Sequence, residues 1–234
     1  MNISEILDNS SVKTVFNINI FNINIPITES IIMMWIISLI LIFIALILSL
    51  KLKKVPGKRQ GITESIIEFI SNLCEDGIGE KGKKFVGFIG TILLFLVIAN
   101  LIDILNVMIF NIDIIPPTKD LSVVIALSII SISSVIYAGI KYRKFSGFAK
   151  SFFSPVAIIF PFKVLDYLMK PVSLTLRLFG NISVGYLIMA IITSLVPLII
   201  PSFLSLYFDI FDGLLQAYIF VFLTTLYIGE AVEE

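Results

Sequence analysis

The sequence predicts an all-α integral membrane protein. Five membrane-embedded helices are expected, the last two forming a long, tilted helical hairpin, together with one amphipathic surface helix. Three observations carry this prediction. The chain of 234 residues is 58% hydrophobic with a mean hydropathy of +1.05, against an apolar share of about 45–50% in soluble domains. Its apolar residues gather in stretches at about 30–50, 85–107, 121–140, 162–196 and 202–229, lengths that suit a bilayer crossed by about 20 helical residues. Most of its cations fall between those stretches.

Residues 1–29 are read as an external N-terminal segment and 30–234 as a single integral-membrane domain. The opening lacks a basic region followed by a short apolar core, so it does not read as a secretory signal. Phe16-Asn17-Ile18-Asn19-Ile20 and Phe21-Asn22-Ile23-Asn24-Ile25 alternate with period two, the signature of a strand or hairpin. The first apolar stretch ends in Lys51, Lys53, Lys54, Lys58 and Arg59. Lys81, Lys83 and Lys84 precede the second, and Lys141, Arg143, Lys144 and Lys150 follow the third. Lys13 and Lys119 are the external candidates. The positive-inside rule then places the N-terminus outside and the basic loops in the cytoplasm. An odd number of crossings puts the C-terminus inside. Between the first two stretches, Ile62, Ile66, Ile67, Phe69, Ile70 and Leu73 recur at helical spacing while Glu64, Glu68 and Asn72 take other faces. This is an amphipathic helix over 62–74, too short to span and suited to the membrane surface.

The fourth stretch is longer than a simple span requires. As one helix, 162–196 would reach about 52 Å at 1.5 Å per residue, against a hydrocarbon core of about 30 Å. It either breaks at Pro171 or lies strongly tilted. Pro197 and Pro201 bracket a turn, and 202–229 returns antiparallel. Arg177 is the sole charged side chain between Pro171 and Pro201. Arginine does not deprotonate in proteins, and placing it near a bilayer centre costs roughly 2.5–3.5 kcal/mol. It should therefore face a carboxylate, a water-filled cavity or an ion path. Arg177 and Asn181 are one turn apart, and Ser173 extends the same face. With a turn centred near Ile199, Gln216 falls opposite residue 182. Asp209, Asp212 and Gln216 share a face at i, i+3, i+7. The two acids lie nearer the outside, Asp209 about 18 Å along the helix from Arg177, an aqueous inlet rather than a buried ion pair. Tyr186 and Asp209 come to similar depth, and a shared hydrated pocket is expected. Gly180, Ser183 and Gly185 permit close helix approach.

Composition excludes several classes. There is no His, which removes imidazole relays and Ser–His chemistry. Cys74 is the only cysteine, so no internal disulfide or CxxC metal site forms; it reads as a small buried hydrophobe. A formal net charge of zero gives no electrostatic footprint for nucleic acid.

The segments PVSLTLRLFGNISVGYLI (171–188) and LLQAYIFVFLTTLYIGEAVEE (214–234) closely resemble subunit a of the F-type ATP synthase. LRLFGN (176–181) with the downstream Gln216-Ala217 is the most specific part. ANLIDIL (99–105) and PPTKDLSV (116–123) resemble that family's Asn/Asp-bearing span and Pro–Thr–x–Asp loop. The resemblance covers about 85–234, while 1–84 agree in topology alone.

The resemblance implies an ion-translocating stator subunit with two offset half-channels, passing H+ or Na+ to and from carboxylates of a ring of c subunits. Arg177 matches the family's essential arginine, which faces that ring, holds its carboxylates ionised and separates the half-channels. Asn181 and Gln216 match polar residues beside it, and Asn100 and Asp103 match polar residues of an earlier span. Asp209 stands where members often carry His or Glu, and Tyr186 where many have Glu or His, so acid duty passes to Asp209 or Asp212. Lys163 replaces a cytoplasmic-side Glu, with Asp166 as a substitute. The resemblance implies no catalytic residue, metal or cofactor on this chain, ATP being made or hydrolysed on other subunits. Its implied partners are the c ring, the subunit b peripheral stalk, the remaining ATP synthase subunits and the lipid of a bacterial-type inner membrane. The alternative, a stand-alone channel or secondary transporter, needs its own counter-charge to Arg177 and often an internal repeat; the sequence offers neither a repeat nor a paired midplane acid.

Overall fold

The alternating N-terminal segment folds as the period-two pattern requires. Strands β1 (Thr14–Ile20) and β2 (Ile23–Thr28) pair antiparallel, with Ile18 opposite Ile25, Asn19 opposite Asn24 and Ile20 opposite Ile23. The computed structural model describes residues 14–20, 23–50, 53, 57–105, 117–152, 157–195 and 210–233. Among these, everything after the hairpin that has regular structure is helical.

β2 runs directly into α1 (Glu29–Ser49). Its 21 residues reach about 32 Å, matching a hydrocarbon core of about 30 Å. Ser30, Met33 and Ile37 turn inward, while Trp35, Leu39, Phe43 and Leu46 are exposed. A helix apolar on its outer side satisfies every backbone group internally, which lipid demands.

The amphipathic helix α2 (Lys58–Ile78) is longer at both ends than the 62–74 expected. Ile70, Leu73, Cys74 and Ile78 form its buried face, and Ile62, Ile66, Ile67 and Phe69 stay exposed. The helix continues until Gly79, whose φ of 75° ends it; glycine alone adopts that conformation without a Cβ penalty. A 3₁₀ turn, Gly79–Lys84, leads to α3 (Val86–Leu105).

A second 3₁₀ turn, Pro117–Lys119, precedes α4 (Leu121–Ser151). Asp120 caps α4: the Ser122 N–H donates to its Oδ1 at 2.9 Å, and the N–H groups of Val123 and Val124 donate to its carbonyl. Capping carboxylates satisfy donors that a helix start leaves orphaned. Thus the aspartate of PPTKDLSV has a local structural task. α4 runs past the expected end at 140 and is interrupted at Lys144, where φ is 62°.

α5 (Phe160–Leu195) is a continuous helix of 36 residues with Pro171 inside it; of the two options for this stretch, a break at Pro171 is not the one taken. A π-helical turn at 210–212 opens α6 (Gly213–Glu233). Among the described residues, three helices are long and apolar enough to cross a membrane: Glu29–Ser49, Leu121–Phe148 and Ile210–Glu233, with Val86–Ile102 a shorter apolar helix.

The contacts divide the chain into two compact units. The first comprises residues 1–42, 95–124 and 177–217, with Met33, Ile37, Leu96, Ala99, Val124, Leu178 and Ala217 buried. The second comprises 43–94, 125–176 and 218–234, with Ile70, Ile89, Val135, Leu174, Val221 and Ile228 buried. Within it α2 and α6 cross at Gly77 and Gly229. A Cβ on Gly229 would overlap the Gly77 carbonyl oxygen, and a Cβ on Gly77 would meet Thr225 Oγ1 at 2.9 Å. Thr175 Oγ1 donates to Ser128 Oγ at 3.0 Å, joining α4 to α5.

Candidate functional site

Residues 177–191 of α5 have two sides. Leu178 is buried, as is Leu174 one turn earlier. Arg177, Asn181, Val184, Ile188 and Ile191 are exposed. Their spacing of four, three, four and three residues makes them one helical face. Arg177 therefore stands with Asn181 at one end of an outward apolar face. Gly180 beside them has no atom of the described residues within 4 Å of an added Cβ, so packing among those residues does not require a glycine there. Among the described residues no carboxylate lies within ion-pair distance of Arg177.

Two other polar residues of the first unit point inward. Gln216 and Asn100 are 4% and 6% exposed, values that place both in the interior. Asn100 Nδ2 donates to the Gly213 carbonyl at 2.7 Å, tying α3 to the first turn of α6. The absence of a side chain at position 213 allows this, because a Cβ there would sit 3.1 Å from Asn100 Cβ. Gln216 Nε2 donates to Asp212 Oδ1 at 3.3 Å. Asn100 Oδ1 is buried without a donor among the described residues. The trio offers a carboxylate, an unsatisfied amide oxygen and two amide donors around a π turn, an irregularity frequent at functional sites. Such a set can hold water.

The structure thus gathers Asn100, Asp212 and Gln216, and puts Arg177 and Asn181 together on an exposed face. Among the described residues no hydrogen bond or ion pair joins the two groups. Asp209 lies outside the described residues, and so does the 196–209 turn on which the hairpin register depends. Asp103 and Tyr186 are described in backbone only, on α3 and α5; the expected Tyr186–Asp209 pocket lies outside the described residues.

Sequence reasoning missed a charged cluster in the second unit. Lys170, 6% exposed, has its Nζ 2.9 Å from Asp166 Oδ2 and 2.8 Å from Glu230 Oε2. The rings of Tyr167 and Tyr227 lie 4.9 and 5.1 Å from the same ammonium. Asp166, the substitute for the acid absent at Lys163, is therefore engaged with Lys170. Lys163 Nζ donates to the Ser151 carbonyl at 3.0 Å. The Asp166–Lys170 spacing of four was a visible signal, whereas Glu230 lies 60 residues from Lys170 and gave none.

Residues 31–229 match the ATP synthase A chain family. The chain belongs to the ATP synthase subunit a family. Among similar proteins, the sodium-ion-specific ATP synthase subunit a of Propionigenium modestum is 34% identical over 216 residues, covering 88% of this chain and 75% of that protein. The ATP synthase subunit a of Gloeobacter violaceus is 37% identical over 210 residues, covering 88% and 84%. The chloroplastic ATP synthase subunit a of Stigeoclonium helveticum is 36% identical over 205 residues, covering 86% and 82%. As a member of the subunit a family the chain is a membrane protein of an ATP synthase, with a role in the membrane sector. Arg177, Asn181, Asn100, Asp212 and Gln216 all fall within the matched residues, and Glu230 lies just beyond them.

Proposed function

We propose that this chain is the ion-translocating stator subunit a of a rotary F-type ATP synthase, with Arg177 facing carboxylates on a ring of c subunits. The observation that carries this is the exposed Arg177 on an apolar face, with no carboxylate partner among the described residues. In lipid an uncompensated guanidinium is costly, so its complement belongs on another chain. A fixed cation beside a carboxylate lowers the acid's pKa and favours the ionised form. A ring carboxylate arriving neutral from lipid would release its ion near Arg177, turn past it, be reloaded from the other half-channel and re-enter lipid neutral. Repulsion by Arg177 blocks a direct cation path between the half-channels. One charge crossing 100 mV supplies about 2.3 kcal/mol.

In this reading α3 and α5 join the three apolar spans, giving five membrane-embedded helices in one integral-membrane domain. α5 and α6 form the tilted hairpin that meets the ring, since a helix of 36 residues is about 54 Å long and exceeds the hydrocarbon thickness. The N-terminal segment 1–29 lies outside and the C-terminus in the cytoplasm of a bacterial-type cell. Asp209, Asp212, Asn100, Asp103 and Tyr186 line the outer inlet, and Asn181 and Gln216 lie on the path near Arg177. Subunit b and the rest of the complex hold the chain in place. The coupling ion is H+ or Na+, chosen mainly by c-subunit ligands; sodium dependence of ATP hydrolysis by the assembled complex distinguishes them.

The test is substitution of Arg177. Arg177→Ala should abolish coupled ATP synthesis and open a passive ion leak. Arg177→Lys keeps a cation but loses the planar fork, and should block the leak better than Ala without restoring normal synthesis. Potential-driven ion flux is measured in vesicles carrying the membrane sector, and synthesis on the full complex. Normal synthesis with Ala at position 177 refutes the rotary reading; a tight but synthesis-dead Ala variant refutes only the barrier role. A stand-alone transporter would instead purify without a c ring or catalytic head.

A further inference from the structure

The second unit carries cations that the ion path does not use. Lys81 and Lys84, on the Gly79–Lys84 turn, place their ammonium groups 5.2 and 5.7 Å from the centroid of one ring, Tyr142 of α4. The Phe85 ring packs against the same tyrosine, with centroids 6.5 Å apart. Arg143 and Lys144 follow Tyr142 directly, and α4 breaks at Lys144. None of Lys81, Lys83, Lys84, Arg143 and Lys144 pairs with a carboxylate among the described residues. Glu80, on the same turn, is exposed. The Tyr142 hydroxyl is buried and finds no acceptor among the described residues. The turn itself is seated closely, since a Cβ on Gly82 would overlap the Cys74 carbonyl.

Two ammonium groups held at one ring repel each other, and an anion in contact with both would offset that repulsion. A phosphate supplies the charge for both, while the Tyr142 ring holds the two lysines near one another. The position selects the source of that phosphate. From Leu121 to the break at Lys144, α4 runs about 34 Å at 1.5 Å per residue, so Tyr142 at its end reaches the edge of a core of about 30 Å. The lysines likewise immediately precede the apolar α3. Both elements put the cluster at headgroup depth, where basic pockets between membrane helices recognise anionic lipid. We propose that Lys81, Lys84 and Tyr142 form a binding site for the phosphate of an anionic phospholipid, with Arg143 and Lys144 flanking it. The site rests on the membrane reading of α3 and α4, and not on the role of Arg177.

The assembled complex is placed in phosphatidylcholine nanodiscs carrying a minor fraction of photoreactive phosphatidylglycerol, and crosslinks are mapped by peptide. Labels should concentrate on 79–85 and 142–144. Lys81→Gln with Lys84→Gln should reduce them about thirtyfold, from about fivefold per surface lysine. Lys81→Arg with Lys84→Arg should retain them. The same charge removed by Lys58→Gln with Arg59→Gln should leave the 142–144 label unchanged; equal loss there would overturn the site. Equal labelling by photoreactive phosphatidylcholine also overturns it. Complete displacement by inorganic phosphate identifies free phosphate as the ligand and overturns the lipid assignment. Undiminished lipid labelling with loss of partner subunits from the Gln variant points to an acidic protein segment and overturns it as well. If no lipid labels α3 or α4 anywhere, the membrane reading has failed; if lipids label them without selectivity for phosphatidylglycerol, only the site has failed.

Discussion

Lys170 offers the most quantitative test of how this chain treats a cation. Its ammonium is nearly buried and is held by Asp166 at 2.9 Å and Glu230 at 2.8 Å, whose side chains are 54% and 46% exposed. Removing one acid leaves the other in place. Asp166→Ala or Glu230→Ala alone should therefore cost only about 1 kcal/mol, the scale of a solvent-screened pair. Removing both strands a buried ammonium, for which about 3–5 kcal/mol is the upper range before screening. The double variant should then exceed the sum of the singles by about 1–2 kcal/mol. Adding Lys170→Met to the double variant should recover much of the loss, because an apolar side chain of similar length removes the stranded charge. The readout is the denaturant midpoint for alkylation of Cys74, which is buried in the same unit and is the only cysteine. Strict additivity, or further destabilisation on adding Lys170→Met, would show that the triad is a surface decoration and that the reasoning is wrong.

Three further outcomes are expected. Asp209→Asn combined with Asp212→Asn should slow ion-coupled ATP synthesis without loss of assembly, and undiminished synthesis would place the outer inlet elsewhere. Gly229→Ala drives a methyl into the Gly77 carbonyl, backbone against backbone, so a penalty of about 1–3 kcal/mol or more is expected; an unchanged Cys74 alkylation midpoint would contradict the crossing. Burial raises the Cys74 thiol from 9.0 to about 11, and only the thiolate reacts. Its alkylation at pH 8 should run about a hundredfold slower than an ordinary thiol and rise about tenfold per pH unit towards 11; a rate that levels off near pH 9 would show an open site.

What was legible in the sequence follows from how local each signal is. The strand pair over 14–28 was readable because period two is a property of adjacent residues. Three apolar spans were readable because lipid requires about 20 consecutive apolar residues. The C-terminal end of α2 was not, because it depends on the positive φ of Gly79 rather than on the apolar pattern. The cap at Asp120 was visible in principle, as an aspartate immediately before an apolar run, yet the motif PPTKD drew attention to a loop. Asn100 bonded to the Gly213 carbonyl and Lys170 bonded to Glu230 are separated by 113 and 60 residues. No spacing rule reaches that far, so only the folded chain joins them.

The contrast between two cations of α5 carries the functional argument furthest. Lys170 and Arg177 are seven residues apart on one helix. The chain gives Lys170 two carboxylates and two aromatic faces, enough to offset the desolvation of a buried ammonium. It gives Arg177 exposure, an apolar face and, beside it, a glycine with open space in front. A fold that neutralises one cation so fully has the means to neutralise the next, and an acid one turn away on α5 would have sufficed. An internal acid would also have held the guanidinium in a permanent pair, leaving no field to shift the pKa of a passing carboxylate. An Arg that must act on a succession of carboxylates has to remain without a resident one. The exposed state of Arg177, without a carboxylate among the described residues, is thus the condition its proposed task requires, and the compensated Lys170 is the internal control.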